Sequence, residues 1–297
     1  MARPRSLRRR LTDAAEGGGA WLLFGLFRLL PVAWASGLAG ALARAIGPRL
    51  AVSRRARQNL RRALPDLTDE RVEDAVRGMW DNLGRVAAEY AHLGRYRVYE
   101  PGGRIEMVGA ENIRRYGAPG ERAIFFSGHF GNWEVATLAV TQAGLGVAEI
   151  YRAANNPIVD GIINHARSVV GSELVPKGTI AARRALAALK GGRHIAMLVD
   201  QKMNDGIPVP LFGRDAMTAP ALAKFALHFK CAVVPVRVDR LPHARFRITA
   251  EPPLSYRRTG DAARDELALL TQVNQVLERW IREKPDHWFW LHRRWPE

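Results

Sequence analysis

Residues 128–134 read GHFGNWE, so a histidine stands between two glycines and five positions before a glutamate. A carboxylate beside an imidazole fixes the tautomer of the ring and stabilises its charged form. We therefore predict that His129 is a general base that takes a proton from a hydroxyl, with Glu134 as its carboxylate partner. The residues alone equally allow a hydrogen-bonded turn histidine. The spacing is not that of a zinc-binding helix, so we expect no metal.

Polar residues also follow two further strand-like runs. Arg152 comes after the run at 146–151, where it could hold a phosphate or an oxyanion, or remain a solvated loop residue. Asp200 ends the run at 194–200 and could be a second polar group of the site, or could cap the Gly- and Pro-rich loop that follows. We predict that Arg152 and Asp200, together with Asn132 of the first turn, contact the substrate.

The elements that must position these residues predict an α/β fold. A basic helix is expected at 52–63, followed by a long amphipathic helix capped by Thr68. Beyond it, strand-like and helix-like segments alternate, which is typical of a mostly parallel central sheet flanked by helices. We expect strands at 105–108, 123–127, 146–151, 194–200, 231–238 and 245–250, and helices at 132–143, 158–169, 179–190, 219–229 and 262–283. Ligands of such sheets bind beyond the carboxyl ends of the strands, where His129 and Asp200 fall.

The first 50 residues differ from the rest, and we predict a membrane-attached helical segment there (1–50), followed by one domain (51–297). Five arginines lie within residues 1–12, and residues 17–43 are apolar apart from Arg28. A spanning helix needs about 20 apolar residues, which this run provides only with Arg28 inside it. Three interpretations stay open: a single span, an in-plane amphipathic helix, and a cleaved signal peptide, which the basic residues disfavour.

The charge balance favours anionic partners. Lys and Arg total 45 against 29 Asp and Glu, a net charge of +16. This suits anionic lipid, a phosphorylated substrate, nucleic acid or an acidic protein, although a GC-rich genome alone also enriches arginine. The single cysteine, Cys231, lies in an apolar run and is expected to be a buried thiol.

The C-terminal residues 287–295 read HWFWLHRRW. Aromatic side chains interleaved with arginines suit an interface that is apolar on one side and anionic on the other, although core packing of the tryptophans explains them equally well. We predict that Arg293 and Arg294 contact an anionic substrate.

Taken in order, these elements resemble the late lipid A acyltransferases of the lauroyl/myristoyl type, within the wider glycerolipid acyltransferase-like superfamily. The resemblance rests on GHFGNWE, Tyr151-Arg152 with Asn156-Pro157, LVDQK, VVPV and the ending WFWLHRRW. It covers about residues 20–295. Glu134 stands where the wider superfamily usually has aspartate. Asp200-Gln201 replaces the Pro-Glu-Gly of the glycerolipid enzymes, which favours a lipid A-type acceptor over glycerol phosphate.

The resemblance implies an α/β enzyme on the cytoplasmic face of the inner membrane, with acyl carrier protein as donor and a Kdo-bearing lipid A precursor as acceptor. We expect direct transfer without an acyl-enzyme or a cofactor, with backbone N–H groups of the turn and Arg152 facing the oxyanion. Alternatives are acyl transfer from coenzyme A to another glycolipid or aminolipid, a non-catalytic membrane scaffold, and a nucleic-acid-binding protein. The last leaves the apolar segment and the strand-end histidine unexplained, so we expect no nucleic acid partner.

Overall fold

A computed structural model describes residues 6–295 of the chain, except for the side chain of Thr179. Its strands are β1 (Ile105–Val108), β2 (Ala123–Ser127), β3 (Val147–Tyr151), β4 (Glu173–Pro176), β5 (His194–Leu198), β6 (Ile207–Leu211), β7 (Arg214–Thr218), β8 (Ala232–Leu241) and β9 (Arg245–Ala250). Seven of them form one sheet in the order β1-β9-β8-β2-β5-β3-β4, in which every neighbouring pair is parallel except β8 with β9. The predicted α/β fold with a mostly parallel sheet is confirmed.

Helices cover both faces of this sheet. They are α1 (Leu7–Leu29), α2 (Val32–Ile46), α3 (Ser53–Ala63), α4 (Asp69–Glu89), α5 (Glu111–Arg114), α6 (Glu134–Thr141), α7 (Pro157–Arg167), α8 (Thr179–Lys190), α9 (Ala221–Phe229) and α10 (Ala262–Glu283). Phe125 packs into the core beneath α6 and α7, whereas the next residue, Phe126, packs into the core beneath α9 and α10. All five residues of β2 are buried, because a central parallel strand has no solvent-facing side.

Two features of the sheet region were not predicted. The short edge strand β4 lies between α7 and α8, where no strand was expected. The predicted loop after β5 instead holds the antiparallel hairpin of β6 and β7, turned at Phe212 and Gly213, whose φ angles are +53° and +67°. Positive φ at both positions suits the turn that joins two strands most tightly. Pro208 and Pro210 argued against a strand at β6, because proline is rare within sheets. Both are exposed on this two-stranded ribbon, where proline is tolerated.

The N-terminal region forms two helices rather than one. Pro31 separates α1 from α2, because proline lacks an N–H group and cannot continue a helix from its interior. Among residues 6–295, no helix combines the length and the apolarity needed to cross a bilayer. Both helices nevertheless expose large apolar side chains, which we call the N-terminal apolar set: Trp21, Leu22, Leu23, Leu26, Leu29, Trp34, Leu38, Leu42 and Ile46.

Helix α2 packs directly against α4, across the boundary predicted at residue 50. A Cβ added to Gly84 of α4 would lie 2.3 Å from the carbonyl oxygen of Ala39 in α2, so the two helices touch at backbone level. Ser36 of α2 donates a hydrogen bond to the buried carboxylate of Glu89 (2.7 Å), which also accepts one from Asn132 (2.8 Å). These bonds connect α2 to the turn that carries His129. The division into residues 1–50 and 51–297 itself stays a prediction.

Candidate active site

The GHFGNWE segment forms the turn between β2 and α6, at the carboxyl edge of the sheet. Gly131 has a φ of +56°, and a Cβ there would meet the carbonyl oxygen of Val238 at 2.2 Å. Only glycine combines this backbone conformation with such a close approach. A Cβ on Gly128 would lie 3.3 Å from the carboxyl group of Asp200. Gly131 thus lets the turn approach β8, and Gly128 lets it approach Asp200, just beyond the end of β5.

Asp200 is the carboxylate that holds His129. Oδ1 of Asp200 lies 2.8 Å from Nδ1 of His129, and Oδ2 accepts the backbone N–H of His129 at 2.8 Å and the indole N–H of Trp288 at 2.7 Å. Burial alone would raise the pKa of Asp200, but the positive charge and hydrogen bonds of His129 hold that pKa well below its usual range. A charged Asp200 assigns the proton of the neutral ring to Nδ1.

Nε2 of His129 is then the basic nitrogen. It lies 3.3 Å from the side-chain amide of Gln201, and the imidazole is 17% exposed. The ring of Trp133 lies beside it, with centroids 5.0 Å apart. The site therefore has one nitrogen fixed by a buried carboxylate and one available to a substrate proton.

The predicted contact between His129 and Glu134 is wrong. The buried carboxylate of Glu134 instead accepts two hydrogen bonds from the guanidinium of Arg167 (2.7 and 2.6 Å) and one from the hydroxyl of Tyr90 (2.6 Å). Glu134 is the first residue of α6, and from there its side chain reaches the ends of α4 and α7. Burial alone would raise the pKa of Glu134, but Arg167 outweighs burial and holds that pKa below its ordinary value.

Of the predicted substrate contacts, Arg152 is exposed at the cavity beside His129, where a substrate could meet it. Asn132 is fully buried, and its amide oxygen accepts the backbone N–H of Glu134 at 3.2 Å. Its predicted contact with substrate is therefore wrong, since both ends of its amide are used to hold the turn. Asp200, also predicted to bind substrate, instead holds His129.

Of the C-terminal residues, Trp288 and Arg294 are buried beneath the site, whereas the contact of Arg293 with substrate stays a prediction. Arg294 is fully buried and donates to the carbonyl oxygen of Met217 (2.9 Å) and the hydroxyl of Thr218 (2.8 Å), so its predicted contact with substrate is wrong. Burial lowers the pKa of Arg294 to about 10. Arg293 is exposed, outside the residues that line the cavity. Trp288 is buried under the turn, in agreement with the core-packing interpretation.

A cavity of about 270 Å³ opens beside His129 and runs between the sheet and α6. Its apolar wall consists of Phe125, Phe126, Ala136, Val140, Ile150, Ala196, Met197, Leu198 and Val236. Arg152 and Lys177, both exposed, lie on its rim, whereas Glu149 and Arg167 line it further in. A long apolar chain can enter here with its reactive end beside the imidazole.

Sequence reasoning missed several of these residues. Arg167, Tyr90 and Glu149 were not singled out, because each belongs to a different element and carries no local motif. The partnership of His129 with Asp200 was also missed, although both were expected at the same edge of the sheet. That partnership depends on the order of the strands in the sheet, which places β5 directly beside β2 and which no local motif indicates.

The imidazole of His129 lies at the carboxyl edge of the sheet, with a buried carboxylate behind it and an apolar cavity beside it. This arrangement defines a class of protein, the enzymes that deprotonate a nucleophile next to a lipid-like substrate. The comparisons with known proteins narrow this class. The family described as bacterial lipid A biosynthesis acyltransferase matches residues 10–297, and the chain belongs to that family. The resemblance stated from the sequence and the expectation of an acyltransferase are confirmed.

One curated relative is the lipid A biosynthesis lauroyltransferase of Escherichia coli (strain K12). The two chains are 25% identical over 195 residues, which cover 64% of this chain and 61% of the relative. The match thus spans about three fifths of the relative's length.

Proposed function

We propose that this protein moves a fatty acyl group from a thioester directly onto a hydroxyl of a lipid A precursor. The proposal rests on one observation: Nε2 of His129 faces an apolar cavity while Nδ1 is held by the buried carboxylate of Asp200. The acceptor hydroxyl gives its proton to Nε2 as its oxygen attacks the thioester carbonyl. The tetrahedral intermediate then expels the thiolate, which takes that proton from the imidazolium. Asp200 positions the ring and balances its charge.

The developing oxyanion needs hydrogen-bond donors, which we assign to side chains at the cavity because three N–H groups of the turn are already bonded. The N–H groups of Gly131 and Glu134 are occupied by the carbonyl oxygen of His287 and the amide oxygen of Asn132. The N–H of His129 is occupied by Asp200. Arg152 and Lys177 on the cavity rim, and the amide of Gln201 beside Nε2, supply positive charge and N–H donors where the carbonyl would lie.

The donor in this proposal is an acyl carrier protein thioester, and the acceptor is a Kdo-bearing lipid A precursor. Family membership and the name of the lauroyltransferase relative support this acceptor. The net charge of +16 suits both a phosphorylated lipid and an acidic carrier protein. The cavity volume is enough for a medium-length acyl chain.

We propose that α1 and α2 attach the protein in the plane of the inner membrane, on its cytoplasmic face. The N-terminal apolar set includes Trp34, which is 76% exposed, and burial of these side chains in lipid is favourable. Exposed arginines at 8–10 and Arg28 lie on α1, where they can reach anionic headgroups. Flotation with anionic vesicles tests this, and Trp34→Ser with Leu38→Ser should weaken binding. Undiminished flotation of that variant would count against the in-plane attachment.

The function is tested with the full-length protein in detergent, a lipid A precursor, and either acyl carrier protein thioester or acyl-CoA. Mass spectrometry should show one added acyl chain, formed faster from the carrier protein and suppressed by high salt. Equal rates from both donors, unaffected by salt, would exclude the carrier protein as the preferred donor. Acylation of another glycolipid instead of the lipid A precursor would refute the acceptor assignment.

A further inference from the structure

A carboxyl group interrupts the apolar wall of the acyl cavity. Glu149 of β3 is paired in register with Ala196 of β5, which is paired with Phe125 of β2, and all three line the cavity. The strand continues for two residues to Tyr151, whose side chain lines the cavity nearer its rim. Two residues of a strand span about 7 Å. Glu149 therefore meets a bound chain well inside the cavity, beyond its reactive end.

Within residues 6–295, Glu149 has no ion pair of its own. Its Oε2 accepts a hydrogen bond from the hydroxyl of Ser172 at 2.8 Å. The nearby cation, Arg167, already forms a two-point ion pair with Glu134. Burial, together with the negative charge of Glu134, raises the pKa of Glu149, whereas Arg167 and the hydroxyls of Ser172 and Thr137 oppose that rise. A carboxyl group accepts a hydrogen bond from a chain hydroxyl in either protonation state, and it also donates one when protonated.

A saturated acyl chain adds no partner to those that Ser172 and Thr137 already provide for this group. Covering a polar group with methylene groups removes its water and returns no hydrogen bond, which is unfavourable. A chain with a hydroxyl at the same depth satisfies the carboxyl group, and a site built to bind a hydroxyl discriminates strongly against the analogue that lacks it. A cavity of about 150 Å³ holds a benzene molecule. At that density, about 270 Å³ suits a chain of roughly ten to twelve carbons.

We propose that the acyl cavity selects a medium-length acyl chain carrying a hydroxyl group along its length, and that Glu149 is the residue that determines this specificity. The inference rests on the acyl transfer proposed above, since it names the chemical class of the donor chain. Glu149 acts on the chain rather than on the reacting atoms, so it changes selectivity and not the chemical step.

The test compares dodecanoyl thioester with a series of hydroxydodecanoyl thioesters, using kcat/KM of the full-length protein in detergent. The wild type should prefer an isomer with a mid-chain hydroxyl over dodecanoyl by about tenfold to a hundredfold. Glu149→Leu should abolish this preference, whereas Glu149→Gln, which keeps both a donor and an acceptor, should retain most of it. Glu173→Gln on the neighbouring strand β4, outside the cavity lining, is the matched control and should leave the preference unchanged.

Equal kcat/KM values for dodecanoyl and every hydroxylated isomer in the wild type would overturn the proposal, whether or not the variants fold. A preference that survives in Glu149→Leu would also overturn it, as would a preference confined to a hydroxyl at carbon 2, which lies at the rim. Binding of the free acids, measured by isothermal titration calorimetry, separates this question from transfer. If no thioester is turned over, the proposed function fails, and tighter binding of hydroxylated acids by the wild type alone would still support the selectivity of the cavity.

Discussion

Two buried carboxylates flank the same turn, and they do different work. Asp200 contacts an imidazole, whose other nitrogen faces the cavity. Glu134 contacts a guanidinium through two hydrogen bonds and a tyrosine hydroxyl through a third. An imidazole exchanges protons near neutral pH, whereas a guanidinium does not. We infer that the Asp200 side carries the proton chemistry, whereas the Glu134 side fixes the position of a charge.

The difference shows that spacing in sequence is a poor guide to which carboxylate serves which base. Glu134 is five residues from His129, yet it pairs with Arg167 at the end of α7. Asp200 is 71 residues away, yet it accepts both the ring and the backbone N–H of His129.

The largest effect is expected at His129. His129→Ala removes the proposed base, and transfer should fall below detection while the fold and membrane binding persist. Acyl transfer to the lipid A precursor measures the loss, and circular dichroism with vesicle flotation checks the rest. His228→Ala, at an exposed histidine of α9, is the matched control. Near-normal turnover by His129→Ala would refute the role of this imidazole.

Asp200→Asn should have the second-largest effect, with kcat reduced by about 10³- to 10⁴-fold. The asparagine amide cannot both accept from Nδ1 and balance an imidazolium, so the ring loses the tautomer that transfer needs. Single-turnover rates measure the effect, and Asp205→Asn in the exposed loop after β5 should behave as wild type. If Asp200→Asn is nearly as active as wild type while Glu134→Gln is inactive, the assignment of the two carboxylates must be reversed.

Glu134→Gln should act mainly on stability. The variant leaves the buried charge of Arg167 without its counter-charge, and breaking a buried ion pair in this way typically lowers the free energy of unfolding by about 3–5 kcal/mol. Urea unfolding measures the loss. The double variant Glu134→Leu with Arg167→Met removes both charges and should recover part of it. If the double variant recovers none of the lost free energy of unfolding, the attraction between the two charges stabilises the fold by more than the burial of those charges costs.

The fold was largely predictable from the sequence, but the contacts of the site were not. Apolar runs such as AIFFS identify buried parallel strands because both of their faces are covered. The turn glycines placed His129 at the edge of the sheet correctly. The partner of His129 depends on strand order, and nothing local in the sequence indicates that β5 lies beside β2. Arg294 was misassigned for a related reason, since an arginine next to tryptophans can equally be buried among carbonyl oxygens.

The smallest expected effect concerns His287 and His292, which are not proposed as bases. Burial lowers the pKa of His287 and of His292 to about 4 each. An unfolded histidine has a pKa of about 6.5, so between roughly pH 6.5 and 4 the unfolded chain binds protons that the folded chain does not. The free energy of unfolding is therefore intact above pH 6.5 and should fall with decreasing pH, by about 1 kcal/mol per pH unit for each buried imidazole.

His292→Gln should make that decline shallower, whereas His228→Ala at an exposed position should leave it unchanged. Urea unfolding at several pH values between 7.5 and 4.5 measures the slope. The ion pair of Glu134 with Arg167 adds little in this range, because the pKa of that carboxyl already lies below its ordinary value. If the free energy of unfolding of His292→Gln falls with pH as steeply as that of the wild type, the imidazole of His292 takes up its proton in the folded protein. Water would then reach the region around Asp200 more easily than its burial implies.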